Sequence, residues 1–298
     1  MTIADDIKRL KKEKKAIILA HNYQPPEIQD LSDFTGDSLE LAVRAKDAEE
    51  EIIVICGVMF MAETAKILNP SKKVLIPVKD AGCPLANYLT ADMVKKAKEE
   101  HPGAEVVLYV NSTADSKAEA DITCTSANAV SVCASLKSET ILFGPDSNLA
   151  SWVSEKLPDK KIIPLPANGH CPVHTEFKTS DAVSAADKGY MVVCHPECPE
   201  EIRNKCDLVA STGQMIKEAY RSSRWAVLTE KDMVYRLKKE FPEKEFIGFE
   251  TAVCHDMKLI TPALLKQSLE KEEHEIIISD EIIKRASSAI ERMVKIKG

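Results

Sequence analysis

The sequence has no long hydrophobic run and no excess of positive charge. No stretch approaches the roughly eighteen consecutive apolar residues that a membrane-spanning helix needs. The segment MTIADDIKRLKK starts with acidic residues and lacks the apolar centre of a signal peptide. The formal net charge is −7 and the basic residues are scattered, which argues against nucleic acid as a partner. We therefore expect a cytoplasmic protein without a membrane anchor.

The nine cysteines are too few and too unevenly spaced for the disulfide framework of a small secreted protein. In a reducing compartment we expect them to be core residues, metal ligands or nucleophiles. Glycine occurs only ten times, and hydrophobic residues make up 44% of the 298 residues. The chain is therefore long and apolar enough for two or three domains.

The sequence contains a repeat of about 85 residues that occurs three times. The segments KAIILAHNY, VVLYVNS and YMVVCHPE each run from an apolar strand into polar residues, and DFTGDS, DITCTS and DLVAST follow at matching offsets. The cysteines that end the last loop of each repeat are 88 and 83 residues apart. The aligned residues keep one order: His21, Tyr109 and His195; Asp33, Asp121 and Asp207; Ser38, Ser126 and Thr212; Gly57, Gly144 and Thr229; and Cys83, Cys171 and Cys254.

Each repeat holds short apolar strands that alternate with helix-like stretches, a pattern typical of βα units and parallel sheets. We predict an α/β protein of three three-layer αβα domains with short parallel sheets, related by a pseudo-threefold axis. The predicted domains are residues 1–82 with the C-terminal segment 260–298, residues 83–170, and residues 171–259. Functional groups collect at the carboxyl ends of parallel strands, so we expect the active site at the central domain interface.

Cys83, Cys171 and Cys254 suggest a metal site with one ligand from each domain. Structural zinc usually takes four ligands from local pairs, whereas an iron–sulfur cluster on three separated cysteines would leave one iron open to substrate or water. Simple burial is another interpretation, because it is the commonest fate of a free cysteine. The stretch NGHCPVH offers a third, a zinc site made by His170, Cys171 and His174.

Polar side chains stand where the first strand of each repeat ends. Alternation along a strand puts residues two apart on one face. Imidazole, phenol, amide and carboxylate groups together can supply general acid–base catalysis and hydrogen bonds to a polar ligand. The pairs are His21 with Tyr23, Tyr109 with Asn111, and His195 with Glu197.

Ser38, Ser126 and Thr212 each open a stretch that looks like a helix. Their ordinary role there would be N-capping. A helix N-terminus also offers free N–H groups and the positive end of a dipole, which bind anions. Because the aligned polar series contain no arginine, helix ends, hydroxyls, imidazoles and iron would hold an anionic substrate such as a small carboxylate or phosphate.

Segments along essentially the whole chain match one enzyme family: AHNYQPPEIQD, TGDSLELA, GVMFMAETAKILNP, CPLAN, YVNSTA, TSANAV, FGPDSNLA, NGHCPVH, HPECP, STGQM and AVCHDM. They resemble quinolinate synthase, the iron–sulfur enzyme of de novo NAD biosynthesis. The resemblance implies condensation of iminoaspartate with dihydroxyacetone phosphate to quinolinate, with loss of phosphate and two waters and no net redox change. It also implies a 4Fe-4S cluster on Cys83, Cys171 and Cys254, whose open iron acts as a Lewis acid in dehydration.

The resemblance implies roles for individual residues. Tyr23, His174, His195 and Glu197 are the implied catalytic groups, with the proton transfer that each serves left open. An aspartate oxidase or dehydrogenase would supply the imine, and the protein would be a monomer or homodimer. The implied contacts to dicarboxylate and phosphate are His21, Ser38, Tyr109, Val110, Asn111, Ser126, His195, Pro196, Glu197 and Thr212.

Two departures from the family pattern leave the ligands intact. The loop KDAGC lacks the threonine expected before the first cysteine, and His255 follows the third, where it could hydrogen-bond a cluster sulfur or point to solvent. Three alternative functions stay open. They are a zinc-dependent hydrolase, another iron–sulfur hydro-lyase on the same fold, and a non-enzymatic iron–sulfur electron carrier or redox sensor.

Overall fold

Three parallel sheets of four strands each organise the described part of the chain. The computed structural model describes residues 2–296, so Met1, Lys297 and Gly298 of the predicted first domain lie outside it. In each sheet the first strand lies between the second and the third, and the second and fourth strands form the edges. The same strand order occurs three times, which confirms the predicted α/β fold with short parallel sheets.

The first sheet spans residues 16–75, and its two inner strands are buried at every position. Alternate residues of the first strand pack into different apolar clusters, Ile17 and Leu19 into one and Ile18 and Ala20 into the other, because helices cover both faces. Its elements are α1 (Ile3–Glu13), β1 (Ala16–His21), α2 (Pro26–Leu31), β2 (Phe34–Gly36), α3 (Ser38–Lys46), β3 (Ile52–Cys56), α4 (Met59–Leu68) and β4 (Lys73–Leu75).

The second and third sheets repeat this three-layer packing. Val107 packs on one side of its strand and Leu108 on the other, and Val193 and Cys194 divide in the same way. The second unit contains α5 (Ala91–Glu100), β5 (Glu105–Tyr109), α6 (Ala114–Lys117), β6 (Ile122–Cys124), α7 (Ala129–Ser135), β7 (Thr140–Gly144), α8 (Ser147–Lys156) and β8 (Lys161–Pro164). The third contains α9 (Thr179–Asp187), β9 (Met191–Cys194), α10 (Glu200–Arg203), β10 (Leu208–Val209), α11 (Thr212–Glu218), β11 (Arg224–Leu228), α12 (Met233–Glu240) and β12 (Glu245–Ile247).

The aligned aspartates have one structural role in all three units. Each directly precedes the second strand of its sheet and pairs with one residue of the first strand, accepting that residue's N–H at its carboxylate and donating its own N–H to that residue's carbonyl. The carboxylate bonds measure 2.9, 2.7 and 2.8 Å. The pairs are Asp33 with Ile18, Asp121 with Val106, and Asp207 with Val192.

The C-terminal helices α13 (Pro262–Lys271) and α14 (Asp280–Val294) pack on different units. Helix α13 lies against α1, whereas α14 lies against β6, α6 and α4. The Asn128 side chain, at the start of α7, donates to the backbone oxygen of Ile296 (2.8 Å). The last helix therefore contacts both the first and the second unit, and the predicted domain boundaries remain a proposal.

Candidate active site

A cavity lies where strands of all three sheets end. His21 ends β1, Tyr109 ends β5, and His195 directly follows β9. Because parallel strands end at one edge of a sheet, the three units present equivalent side chains to one space. The predicted site residues that line the cavity are His21, Tyr23, Ser38, Cys83, Tyr109, Asn111, Ser126, Cys171, His174, His195, Glu197, Thr212 and Cys254.

Val110 and Pro196 are the predicted site residues whose side chains do not line the cavity. Both are buried. Val110 donates its N–H to the carbonyl of Cys124 (2.8 Å) and lines a smaller pocket that shares Ser38 with the cavity. These two residues lie within the stretches that carry lining residues but do not face the cavity themselves.

The three cavity cysteines are each followed by a tight turn. Burial raises the pKa of the Cys83 thiol to about 12 and that of Cys254 to about 11, and it holds the pKa of Cys171 well above its ordinary value. A nearby cation would favour the thiolates instead. The backbone N–H groups of Ala86, His174 and Met257, each three residues after a cysteine, act against burial and lower the pKa values of the thiols.

Cys194 and Cys198, in contrast, pack in the apolar core beneath the third sheet, and both are fully buried. His255 is exposed, which agrees with the interpretation that it points to solvent. His170 is also outside the cavity lining, and its Nδ1 donates to the backbone oxygen of Asn168 (2.9 Å). The zinc site predicted from NGHCPVH alone therefore lacks His170.

Glu197 is the centre of a buried polar cluster. Its Oε2 lies 2.8 Å from Nδ1 of His174 and 3.8 Å from Nδ1 of His195, and its Oε1 accepts the Tyr109 hydroxyl. Burial acts to raise the pKa of Glu197, but the two imidazoles and the hydroxyl outweigh it and hold the pKa below its usual value. The His174 and His195 rings stack with centroids 4.6 Å apart.

Burial keeps the imidazoles of His21 and His195 neutral. Burial lowers the pKa values of His21 and His195 to about 3, against the opposing effect of the Glu197 charge. Nε2 of His195 lies 3.1 Å from the hydroxyl of Ser126, which connects the second and third units. Neutral imidazoles can donate at one nitrogen and accept at the other, so they suit a polar ligand.

Among the described residues, one group of three metal-ligating side chains has its ligand atoms within 4.8 Å of one another. It consists of Cys171, His174 and Glu197. Cys171 is also one of the predicted cluster ligands. His174 and Glu197, two candidate acid–base groups, lie next to it. The cavity therefore combines potential metal ligands with a carboxylate and an imidazole.

The expected N-capping by the aligned hydroxyl residues is wrong at Ser38 and Thr212. Asp37 caps α3, accepting from the N–H groups of Leu39 and Glu40, and Ser211 caps α11. Ser38 and Thr212 are the first helical residues, so their hydroxyls are free to face the cavity. Ser126 likewise caps no helix, because α7 begins three residues later and has Asn128 at its N-cap position.

Several lining residues were missed from the sequence. Glu230 follows Thr229 of the aligned series and is fully buried, so its position beside a repeat residue was the available signal. The only signal in the sequence at Asp37 was that aspartate is a common residue type at a helix N-cap. The apolar lining, formed by Val58, Phe60, Met61, Val173 and Met257, gave none, because apolar residues there look the same as core residues.

Comparison with known proteins gives one family. The family described as quinolinate synthetase A protein matches residues 5–295. The chain belongs to the quinolinate synthase family. It is 51% identical over 299 residues to quinolinate synthase of Pyrococcus horikoshii, covering 99% of both chains. It is 48% identical over 301 residues to quinolinate synthase of Thermotoga maritima, covering 99% of this chain and 100% of the relative.

This member of the quinolinate synthase family is thus similar to quinolinate synthases along almost its whole length, as the sequence motifs predicted. Within residues 2–296, none of the helices combines the length and apolar character needed to cross a membrane.

Proposed function

We propose that the protein is a quinolinate synthase that condenses iminoaspartate with dihydroxyacetone phosphate to quinolinate, with release of phosphate and two waters. One observation carries the proposal. In a chain of this family, Cys83, Cys171 and Cys254 come from three separate loops and line one cavity. The cavity also holds a carboxylate, neutral imidazoles and hydroxyls, which a condensation with dehydration steps requires for its proton transfers.

The donor set fits a 4Fe-4S cluster held by three cysteines. The three thiols line the same cavity, and each has a backbone N–H donor that would stabilise a coordinated thiolate. We assign Cys83, Cys171 and Cys254 as its ligands. When bound, the cluster would supply an open iron that polarises substrate oxygens as a Lewis acid and helps water to leave.

We assign the binding of the substrate carboxylates and phosphate to groups at helix N-termini. Ser38 and Thr212 begin α3 and α11 and line the cavity, so their hydroxyls would donate to substrate oxygens. Asn111 Oδ1 has no hydrogen-bond partner among the described residues and would accept from a substrate donor. The further proposed contacts are His21, Tyr109, Val110, Ser126, His195, Pro196 and Glu197.

We assign the proton transfers to Tyr23, His174, His195 and Glu197. Glu197 is ionised and lies close to both imidazoles, so its negative charge would stabilise a proton that His174 or His195 takes up. Burial keeps the pKa of the Tyr23 hydroxyl well above its ordinary value, so Tyr23 acts as a donor.

Anaerobic incubation of purified protein with dihydroxyacetone phosphate and freshly generated iminoaspartate tests the proposal. The expected result is quinolinate with an equal amount of phosphate. Protein that contains iron and sulfide but forms no quinolinate would contradict it. Zinc without iron or sulfide would instead support the hydrolase alternative, and a cluster spectrum unchanged by a dicarboxylate would support an electron carrier.

We further propose that an aspartate oxidase or dehydrogenase supplies the unstable imine. A monomeric or homodimeric state and a cytoplasmic location complete the proposal, and size-exclusion chromatography with light scattering tests the first of these.

A further inference from the structure

Three buried polar side chains occupy equivalent positions in the three units. Gln29, Lys117 and Arg203 lie in α2, α6 and α10, the helices between the first and second strands of each sheet. They are 88 and 86 residues apart, which are the separations of the first aligned polar series. Their exposed fractions are 4%, 0% and 3%. Because the three residue types differ, the repeat in the sequence gave no indication of them.

Each of these side chains donates a hydrogen bond to a loop of its own unit beside the cavity. We call the following segments the cavity loops: residues 21–24, 109–112 and 195–198. The last backbone oxygen of each loop lies 2.8 Å from Nε2 of Gln29, 2.6 Å from Nζ of Lys117 and 2.6 Å from Nη1 of Arg203. The residues directly before these oxygens line the cavity: Tyr23, Asn111 and Glu197. The three donors therefore hold the backbone next to proposed site residues.

The same three nitrogen atoms also donate to a different unit. Gln29 joins the first unit to the third, Lys117 joins the second to the first, and Arg203 joins the third to the second, over 3.3, 3.4 and 3.1 Å. Each accepting backbone oxygen lies at the start of the helix that follows the third strand of its sheet: Asp232 directly before α12, Phe60 in α4 and Asn148 in α8. The three bonds close a ring through all three units.

The chemistry of the donors indicates more than packing. Burial lowers the pKa of the Lys117 ammonium to about 8, because desolvation disfavours the charged form. Packing alone would need no donor at these positions. The three side chains differ in length and charge, and what they share is the ability to donate two hydrogen bonds at once. This shared property fixes each cavity loop relative to the neighbouring unit.

We propose that Gln29, Lys117 and Arg203 are positioning residues, which hold the three cavity loops in one arrangement across the units. For its effect on substrate binding and turnover, this inference rests on the proposed function. Removal of a donor leaves a buried carbonyl without a partner, so its cavity loop shifts. Because the lining residue is next to that carbonyl, a small shift of the loop moves the side chain away from the substrate.

The test compares two variants that each remove one donor, Lys117→Met and Gln29→Leu. The first loses a charge and the second does not, so an effect that both share cannot come from the charge. Asn69→Leu is the matched control. Asn69 is 6% exposed and donates to the backbone oxygens of Ala45 (3.0 Å) and Ala65 (3.1 Å), which both lie in the first unit.

Binding of succinate to the anaerobic cluster-loaded protein, measured by isothermal titration calorimetry, is the first readout. We expect the Kd to rise roughly 10-fold in Lys117→Met and in Gln29→Leu, and to stay within about twofold of the wild type in Asn69→Leu. For quinolinate formation, kcat/KM should fall roughly 10- to 100-fold in the first two variants only. The melting temperature should fall in all three variants, so loss of stability alone does not explain the difference.

Hydrogen exchange followed by mass spectrometry gives a readout that needs neither substrate nor cluster. In Lys117→Met, exchange should become faster in residues 109–112 and at the start of α4, which belong to different units. In Asn69→Leu, residues 109–112 should exchange at the wild-type rate.

Wild-type succinate affinity in Lys117→Met or Gln29→Leu, an equal loss in Asn69→Leu, or unchanged exchange in Lys117→Met would each overturn the inference. If the two variants do not fold, exchange in the wild type decides: the cavity loops should exchange as slowly as β1, β5 and β9, and loops that exchange more than about 100-fold faster would overturn it. If the wild type makes no quinolinate, the proposed function fails, and hydrogen exchange still decides the role of the three donors.

Discussion

The ammonium of Lys258 lies 2.7 Å from the fully buried carboxylate of Glu230. Lys258 also donates to the backbone oxygen of Tyr23 (2.5 Å), and Glu230 accepts the N–H of Cys254 (3.4 Å). Tyr23 follows β1 and Glu230 lies just beyond β11. This ion pair therefore joins loops of the first and third units to the loop that carries the third cavity cysteine.

Replacing Lys258 by methionine should destabilise the protein, because it leaves the Glu230 carboxylate buried without its counter-ion. The free energy of unfolding should fall by roughly 2–4 kcal/mol, since removing one partner of a buried pair is costly while the partial exposure of Lys258 moderates the loss. Urea unfolding measures the change. Lys15→Met is the control, because the Lys15 side chain is 70% exposed in its pair with Glu51, so its loss should change stability much less. Equal effects of the two substitutions would contradict the prediction.

Serine in place of Cys83, Cys171 or Cys254 should prevent binding of the proposed iron–sulfur cluster. A serine hydroxyl is a much poorer ligand for iron than a thiolate. The two cysteines that remain are too few to retain the cluster. Iron and sulfide analysis of anaerobically purified protein measures this. Cys206→Ser provides the control, because Cys206 is also partly exposed but does not line the cavity, so iron content should stay at the wild-type value. A full complement of iron in Cys83→Ser would show that the ligand assignment is incorrect.

Arg203 should be required for stability because it joins the loop of Glu197 to helix α8. The guanidinium is buried, with 3% exposure, and donates to the backbone oxygens of Cys198 (2.6 Å) and Asn148 (3.1 Å). Arg203→Met leaves these acceptors unpaired, so we expect a loss of roughly 2–4 kcal/mol in urea unfolding. Arg9→Met, which removes exposed ion pairs with Asp6 and Glu13, should cost much less. A loss at Arg203 no larger than that at Arg9 would refute the prediction.

Asp37 should make stability depend on pH. Burial raises its pKa above the usual value, because desolvation outweighs the hydrogen bonds it accepts. Between the ordinary pKa of an unfolded carboxyl, about 4, and the raised folded value, the folded state binds more protons, so this contribution to stability falls as pH increases. Asp37→Asn keeps a good N-cap and removes the ionisation.

Urea unfolding of Asp37→Asn and of the wild type at about pH 4.5 and about pH 7.5 measures this dependence. The free energy of unfolding of the variant minus that of the wild type should be larger at about pH 7.5 than at about pH 4.5. The opposite trend would mean that the folded environment favours the Asp37 carboxylate.

The sequence alone determined the repeated framework. Three features recur in each unit: the aligned aspartate, the short apolar strands and the cysteine at the end of a loop. They recur because the three units have the same local backbone requirements, which produce a repeat in the sequence. The three cysteines could therefore be grouped across more than eighty residues without coordinates. The family segments then implied that the same three residues are the cluster ligands.

The tertiary structure decided what the side chains contact. No pattern in the sequence indicated that the neighbours of Ser38 and Thr212 cap the helices, that Thr229 lies between Tyr23 and His174, or that Lys258 forms an ion pair with Glu230. These contacts join different units, and they depend on how three separately formed sheets are oriented around the cavity. A local pattern records what one strand or helix needs for itself, whereas a hydrogen bond across 206 residues exists only once the sheets have packed.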